Sequence, residues 1–180
     1  AAAAALELYP AQSLKARLAK GALHTLLRAG WAAGTKRLTF ELAAEAPFTG
    51  FLRARAGENG PVVPCFGVLA GNPAMASQRF LVLLFDARQR PVCVVKAGLS
   101  PSARELVHKE GDFLASAAGR LAGIPRVQAR FRSERASAFA LDYYPGRSPR
   151  PGEESALPAL LGGWVDTRRT TTMAALADWQ

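Results

Sequence analysis

Val92-Cys93-Val94-Val95-Lys96 is an apolar run that ends on a cation, and the segment after it, Ala103 to Ala122, carries apolar residues at helical spacing. Alternation along a strand places Val92, Val94 and Lys96 on one face. A lysine sharing a buried face with valines needs a counter-charge, because an unpaired buried ammonium is costly. The helix supplies one: Leu106, Val107, Phe113, Leu114, Ala117 and Leu121 share a stripe, and Glu110 falls within it. Lys96 is therefore expected to pair with Glu110. Glu105 is the rival carboxylate, but Ser102-Ala103-Arg104-Glu105 fits a capping box that would occupy it at the helix start. The plainer alternative is that Lys96 stands at a strand end and reaches water along its own stem.

Working outward from this pair, Val62 to Leu69 and Arg79 to Phe85 read as strands joined by a loop rich in Gly, Asn, Pro and Ser. Asp86 to Arg90 is a polar turn, and Val92 to Ala97 is the third strand. Beyond the helix, Arg126 to Phe131 and Ala138 to Tyr143 form two more strands around a turn at Ser133-Glu134-Arg135. The order βββαββ predicts an α+β fold, a five-stranded antiparallel sheet packed on one main helix. Helical segments flank it. Gln12 to Ala29 is a basic amphipathic helix, with Leu14, Leu18, Leu23, Leu26 and Leu27 opposed by Lys15, Arg17, Lys20 and Arg28. Ser13 suits its N-cap and Gly30 its stop. It reads as docked to its own domain, an anionic membrane surface being the alternative. A short strand at Arg37 to Leu42 and a loop at Gly57 to Gly60 follow. After a Pro/Gly/Glu-rich connector, a last helix is expected around Leu157 to Asp166. Three zones result: an extension over 1–60, a central unit over 61–146, and a tail over 147–180.

The chain has 180 residues, 49% apolar and 21% charged, which is the composition of one folded domain rather than a disordered chain. Lys plus Arg total 23 against 14 acidic residues, a net charge of +9. Two cysteines exclude a disulfide framework and a zinc ribbon. No apolar run approaches the ~20 residues of a membrane span, and no secretory pattern opens the chain, so a cytoplasmic location is expected. Arg126, Arg130, Arg132 and Arg135 crowd the last hairpin and could meet the phosphates of a nucleic acid or an anionic surface. No aromatic series for base stacking accompanies them. Arginines that keep an edge hairpin from pairing with other chains are the simpler account.

Taken together, the Val95-Lys96 strand, the Glu110 to Leu114 helix segment, Ile124-Pro125-Arg126-Val127 and Leu141-Asp142-Tyr143-Tyr144-Pro145-Gly146 resemble motifs of one family. They are similar to the "hK", "E-x-x-x-L", "I-P-x-V" and "L-E-Y-h-P-G" stretches of aminoglycoside phosphotransferases and choline kinases. The resemblance is to the N-terminal lobe of that protein-kinase-like fold and covers about residues 60 to 150. It implies that Lys96 contacts the α- and β-phosphates of ATP while Glu110 holds it in place. It further implies that the loop from Gly67 through Gly71 to Ser77 covers the triphosphate. Backbone groups of Asp142, Tyr143 and Tyr144 would read the adenine, and Mg would accompany the nucleotide.

The family's catalytic loop, of the form H-G-D-x-x-x-x-N, follows the hinge. Here the only histidines are His24 and His108 and the only asparagines Asn59 and Asn72, all upstream of Asp142. Gly111-Asp112-Phe113 imitates its centre, but Glu110 replaces the His, Ala117 replaces the Asn, and the run lies inside a helix. Catalytic and metal-binding residues are thus expected to be missing, and the acceptor substrate is invisible. The chain is then the front part of a longer kinase or a half-kinase that binds nucleotide without catalysis. A non-catalytic interaction module, associating through the surface on the hinge side, is the third reading.

Overall fold

The structure is a computed structural model that describes residues 6, 11, 13–31, 43, 45–56, 65–71, 75–145, 152–153 and 156–165. Its elements are α1 (Leu14–Arg28), α2 (Pro47–Arg55), β1 (Cys65–Ala70), β2 (Arg79–Phe85), β3 (Pro91–Gly98), α3 (Pro101–Ala117), β4 (Val127–Arg132), β5 (Ser137–Asp142) and α4 (Ala156–Gly162). The strands form one five-stranded sheet in the order β1-β2-β3-β5-β4, every pairing antiparallel. The expected sheet and main helix are therefore present, with β3 at the centre.

Two tight turns close the hairpins. Between β2 and β3, the Asp86 carboxylate accepts the backbone N–H groups of Arg88 and Arg90 and the Arg90 guanidinium. The Arg90 backbone hydrogen bond, ahead of its side-chain contact, holds that carboxyl below its ordinary range. Between β4 and β5, the Ser133 hydroxyl accepts from the N–H groups of Arg135 and Ala136, a serine turn of ordinary kind.

The sheet is covered on both faces, and only one cover is legible from sequence. Val82, Leu84, Cys93, Val95, Ala97, Ala138 and Ala140 form one apolar layer with Leu52 of α2. Phe48 and Phe51 of that helix reach Phe131, with ring centroids 5.2 and 5.5 Å apart. The opposite face carries Phe139, against which Val107 and Leu114 of α3 pack. The alternation along β3 thus places Cys93, Val95 and Ala97 in the α2 layer, while Val92, Val94 and Lys96 are only half-buried.

Several details of α3 differ from the sequence reading. Its N-cap is Ser100, whose hydroxyl accepts from Ala103 N–H, with Pro101 in the first turn. Ser102 instead donates to the Ala76 carbonyl, and the capping box does not form. A proline with its fixed φ and missing N–H suits the first helical position, which moves the cap two residues upstream. Glu105 pairs with Lys109 one turn on. The buried stripe is Ala103, Val107, Gly111, Leu114 and Ala117, whereas Leu106 and Phe113 are exposed. The small residues Ala103 and Gly111 share this side with Val107 and Leu114 because the helix lies close to Gly98 of β3 and Phe139 of β5. The helix also stops at Ala117 rather than Ala122, ahead of the positive-φ Gly119.

Ser13 caps α1 and Gly30 follows it with φ +78° as expected. No residue of α1 is buried, and Leu14 is 72% exposed; among the described residues the expected docking of its apolar face is not seen. α4 attaches through Trp164, whose indole N–H donates to the Ala122 carbonyl. The strand expected at 37–42, the loop at 57–60 and residue 166 lie outside the described residues. Among the described residues no helix is long and apolar enough to cross a membrane.

Burial pushes the Cys93 thiol up from its ordinary 9.0 to about 11. A raised thiol pKa stabilises the fold below the unfolded value and is lost as pH rises toward the folded one. Stability is therefore expected to fall between about pH 9 and pH 11. Iodoacetamide at pH 8 should leave Cys93 unmodified until denaturant is added; modification of the native chain at Cys93 would contradict this burial.

Candidate functional site

The register of the sheet sets one row of residues side by side: Leu69, Leu81, Lys96, Phe139 and Arg130, one from each strand. All five belong to the same pleat face, and Lys96 is in the middle. Toward β4 the row runs under α3, where Phe139 is buried. Toward β1 it opens, and Leu81 is partly exposed. Lys96 thus stands at the border between the covered and the open half of the face.

Glu110 meets it there. The Lys96 ammonium donates to both carboxylate oxygens of Glu110 at 2.6 Å. Their side chains are 23% and 33% exposed, so the pair is neither sealed in the core nor free in solvent. Glu110 lies beside Val107 and Leu114 on the helix but outside the buried stripe, which is why water still reaches it. Such a pair gives stability between the small value of surface ion pairs and the uncertain balance of buried ones.

A third charge joins the pair. Arg79, the first residue of β2, places a guanidinium nitrogen 3.5 Å from the same Glu110 oxygen that Lys96 holds. It comes from another strand, so no helical or strand spacing in the sequence connects it to the pair. Only the β2–β3 register, which sets Arg79 opposite Gly98, brings it near.

The glycine-bearing loop is shorter than expected. Gly67 lies within β1, opposite Leu83 and on the Lys96 face of the sheet. The turn proper starts at Gly71, whose N–H donates to the Arg79 carbonyl at 2.9 Å. A Cβ at Gly71 would stand 2.9 Å from that same oxygen, so the approach requires glycine. Gln78 donates its amide to the Gly71 carbonyl. The hydroxyls of Ser100 and Ser102 both donate to the Ala76 carbonyl, tying the returning arm to the start of α3. Ser77 is half-buried in that arm.

At the far end of the sheet, Asp142 ends β5 on the face opposite Lys96, and its carboxylate accepts from the Gln128 amide. Tyr143 donates its backbone N–H to the Val92 carbonyl. That donor is spent. Tyr144 is exposed. The candidate residues therefore fall into two groups: Lys96, Glu110 and the Gly71 turn cluster near the α3 end of β3, and Asp142 to Tyr144 lie near its beginning.

The arginine hairpin is partly neutralised. Arg130 donates to the Asp112 carboxylate and to the Gly111 carbonyl, and this Arg130 contact is the main reason the Asp112 carboxyl lies below its ordinary range. His108 is also within 3.4 Å of Asp112. Asp112 thus joins α3 to β4, facing away from Lys96. Arg104 and Arg132 line a shallow groove that also carries Glu105 and Glu134. Mixed charge of this kind does not make a phosphate-tracking stripe.

No known family model, curated protein or solved structure matches the chain.

Proposed function

We propose that this chain is the nucleotide-binding N-lobe of a small-molecule kinase similar to the aminoglycoside phosphotransferases. The observation that carries the reading is the Lys96–Glu110 contact across fourteen residues, from the central strand to the one long helix packed on that face. A lysine on the third strand held by a helix glutamate is the phosphate-binding device of kinases. A turn pinned by a close glycine contact beside the pair gives the phosphates somewhere to lie.

ATP fits the cations present. Among the described residues no three His, Cys, Asp or Glu side chains converge, and no asparagine follows Tyr144 in the sequence. These 180 residues carry no H-G-D-x-x-x-x-N run. Their role is to bind and orient the nucleotide, while the acceptor hydroxyl and its base come from elsewhere. The nucleic-acid alternative loses ground because Arg130, central to its arginine cluster, is engaged by Asp112 and Gly111.

The test is a titration of the isotope-labelled chain with ATP, followed by amide chemical shifts. Shifts at Gly67 to Gly71, Arg79, Lys96 and Tyr144 are expected, and no turnover of ATP into any acceptor. Flat spectra at those residues up to millimolar ATP would overturn the reading.

A further inference from the structure

We infer that Arg79 is a second phosphate-binding cation that makes the site selective for a nucleoside triphosphate over its di- and monophosphate forms. This deepens the nucleotide reading and rests on it. Three observations converge on Arg79. Its guanidinium and the Lys96 ammonium share one carboxylate, Glu110, so the cluster holds two positive charges against one negative. Its own contact is the weaker one: Lys96 takes both Glu110 oxygens at 2.6 Å, while Arg79 reaches a single oxygen at 3.5 Å and stays 42% exposed. Its backbone is fixed where the turn closes, since its carbonyl accepts the Gly71 N–H.

The loosely held partner is the one a competing anion takes first. A planar guanidinium binds phosphate oxygens through two parallel N–H groups, which a carboxylate already saturated by lysine cannot match. Lys96 sits deeper in the row, and Arg79 lies two residues nearer the α3 end of the same face, opposite Gly98. A polyphosphate lying along that direction meets Lys96 with its inner groups and Arg79 with its outer one. Adenosine, with no phosphate, does not reach Arg79 at all. The preference for ATP over ADP and AMP follows from this spacing.

The experiment titrates wild-type chain, Arg79→Gln and Arg79→Lys with ATP, ADP, AMP and adenosine, reading amide shifts. ATP affinity of R79Q should fall by about tenfold, the value of one charge-assisted contact. Adenosine affinity should stay as in wild type, and R79K should recover part of the loss. If wild type binds ATP and R79Q binds it equally well, the role of Arg79 is refuted while the nucleotide site stands. A parallel loss of ATP and adenosine in R79Q also refutes it, because Arg79 then serves the fold. Failure of wild type to bind any of the four overturns the nucleotide reading itself.

Discussion

Gly98→Ala is expected to destabilise the fold by about 3 kcal/mol or more, the upper range of overpacking costs. Gly98 ends β3, and a Cβ there would stand 2.4 Å from the Ala103 carbonyl oxygen, 2.5 Å from its carbon and 2.8 Å from Arg104 N. These are backbone atoms in the first turn of α3, so no rotamer change relieves the clash. Either the helix start lifts off the sheet or the last residues of β3 peel away. Both movements pull α3 from Phe139, which is nearly fully buried beneath it. Both also change the distance from Lys96 to Glu110, because the pair bridges the same two elements. Urea unfolding should show the midpoint falling sharply; a wild-type midpoint would mean that the helix does not approach β3 this closely. The variant should bind ATP weakly even where it remains folded.

Lys96→Ala has the converse signature. Removing a half-buried ammonium from Glu110 costs about 1–2 kcal/mol of stability, between the exposed and buried cases. Arg79 remains within reach of the orphaned carboxylate and limits the damage. Nucleotide affinity, by contrast, should fall by about a hundredfold, since charged contacts to phosphate are lost together. A small thermal shift with a large loss of ATP binding separates a ligand-binding lysine from a structural one. The reverse pattern, a large loss of stability with ATP affinity intact, would make the pair a structural bridge only.

What the sequence made legible was whatever depended on local period. The apolar runs in Arg79–Phe85 and Pro91–Gly98, with the polar Asp86 to Arg90 turn between, are enough to fix a hairpin. The helix after Ser100 announces itself by spacing, and its glutamate follows from one-dimensional counting. Long-range register was not legible. Arg79 reaches Glu110 only because β2 and β3 pair with Arg79 opposite Gly98. Nor was the cover over the second face of the sheet. Pro47-Phe48-Thr49-Gly50-Phe51-Leu52-Arg53-Ala54-Arg55 is nine residues with an internal glycine and two phenylalanines, too short for a clear helical period. Its helicity comes from packing Leu52 and the two rings on the sheet and Phe131. The position of the α3 cap had a signal that spacing alone passed over: Pro101 directly after Ser100. Helical spacing puts Val107, Leu114 and Ala117 on the buried stripe of α3, where the structure has them, but also Leu106 and Phe113, which are exposed. Close approach to the sheet adds the small residues Ala103 and Gly111 instead.

Lys96 can be interrogated directly. The chain contains five lysines, Lys15, Lys20, Lys36, Lys96 and Lys109, and an ATP derivative with an acyl group on its terminal phosphate transfers that group to whichever amine lies against the phosphates. Peptide mapping after such labelling should find the acyl group on Lys96, with unmodified ATP suppressing it. Labelling spread evenly over the other four lysines, or acylation of Lys96 that ATP does not suppress, would contradict the account.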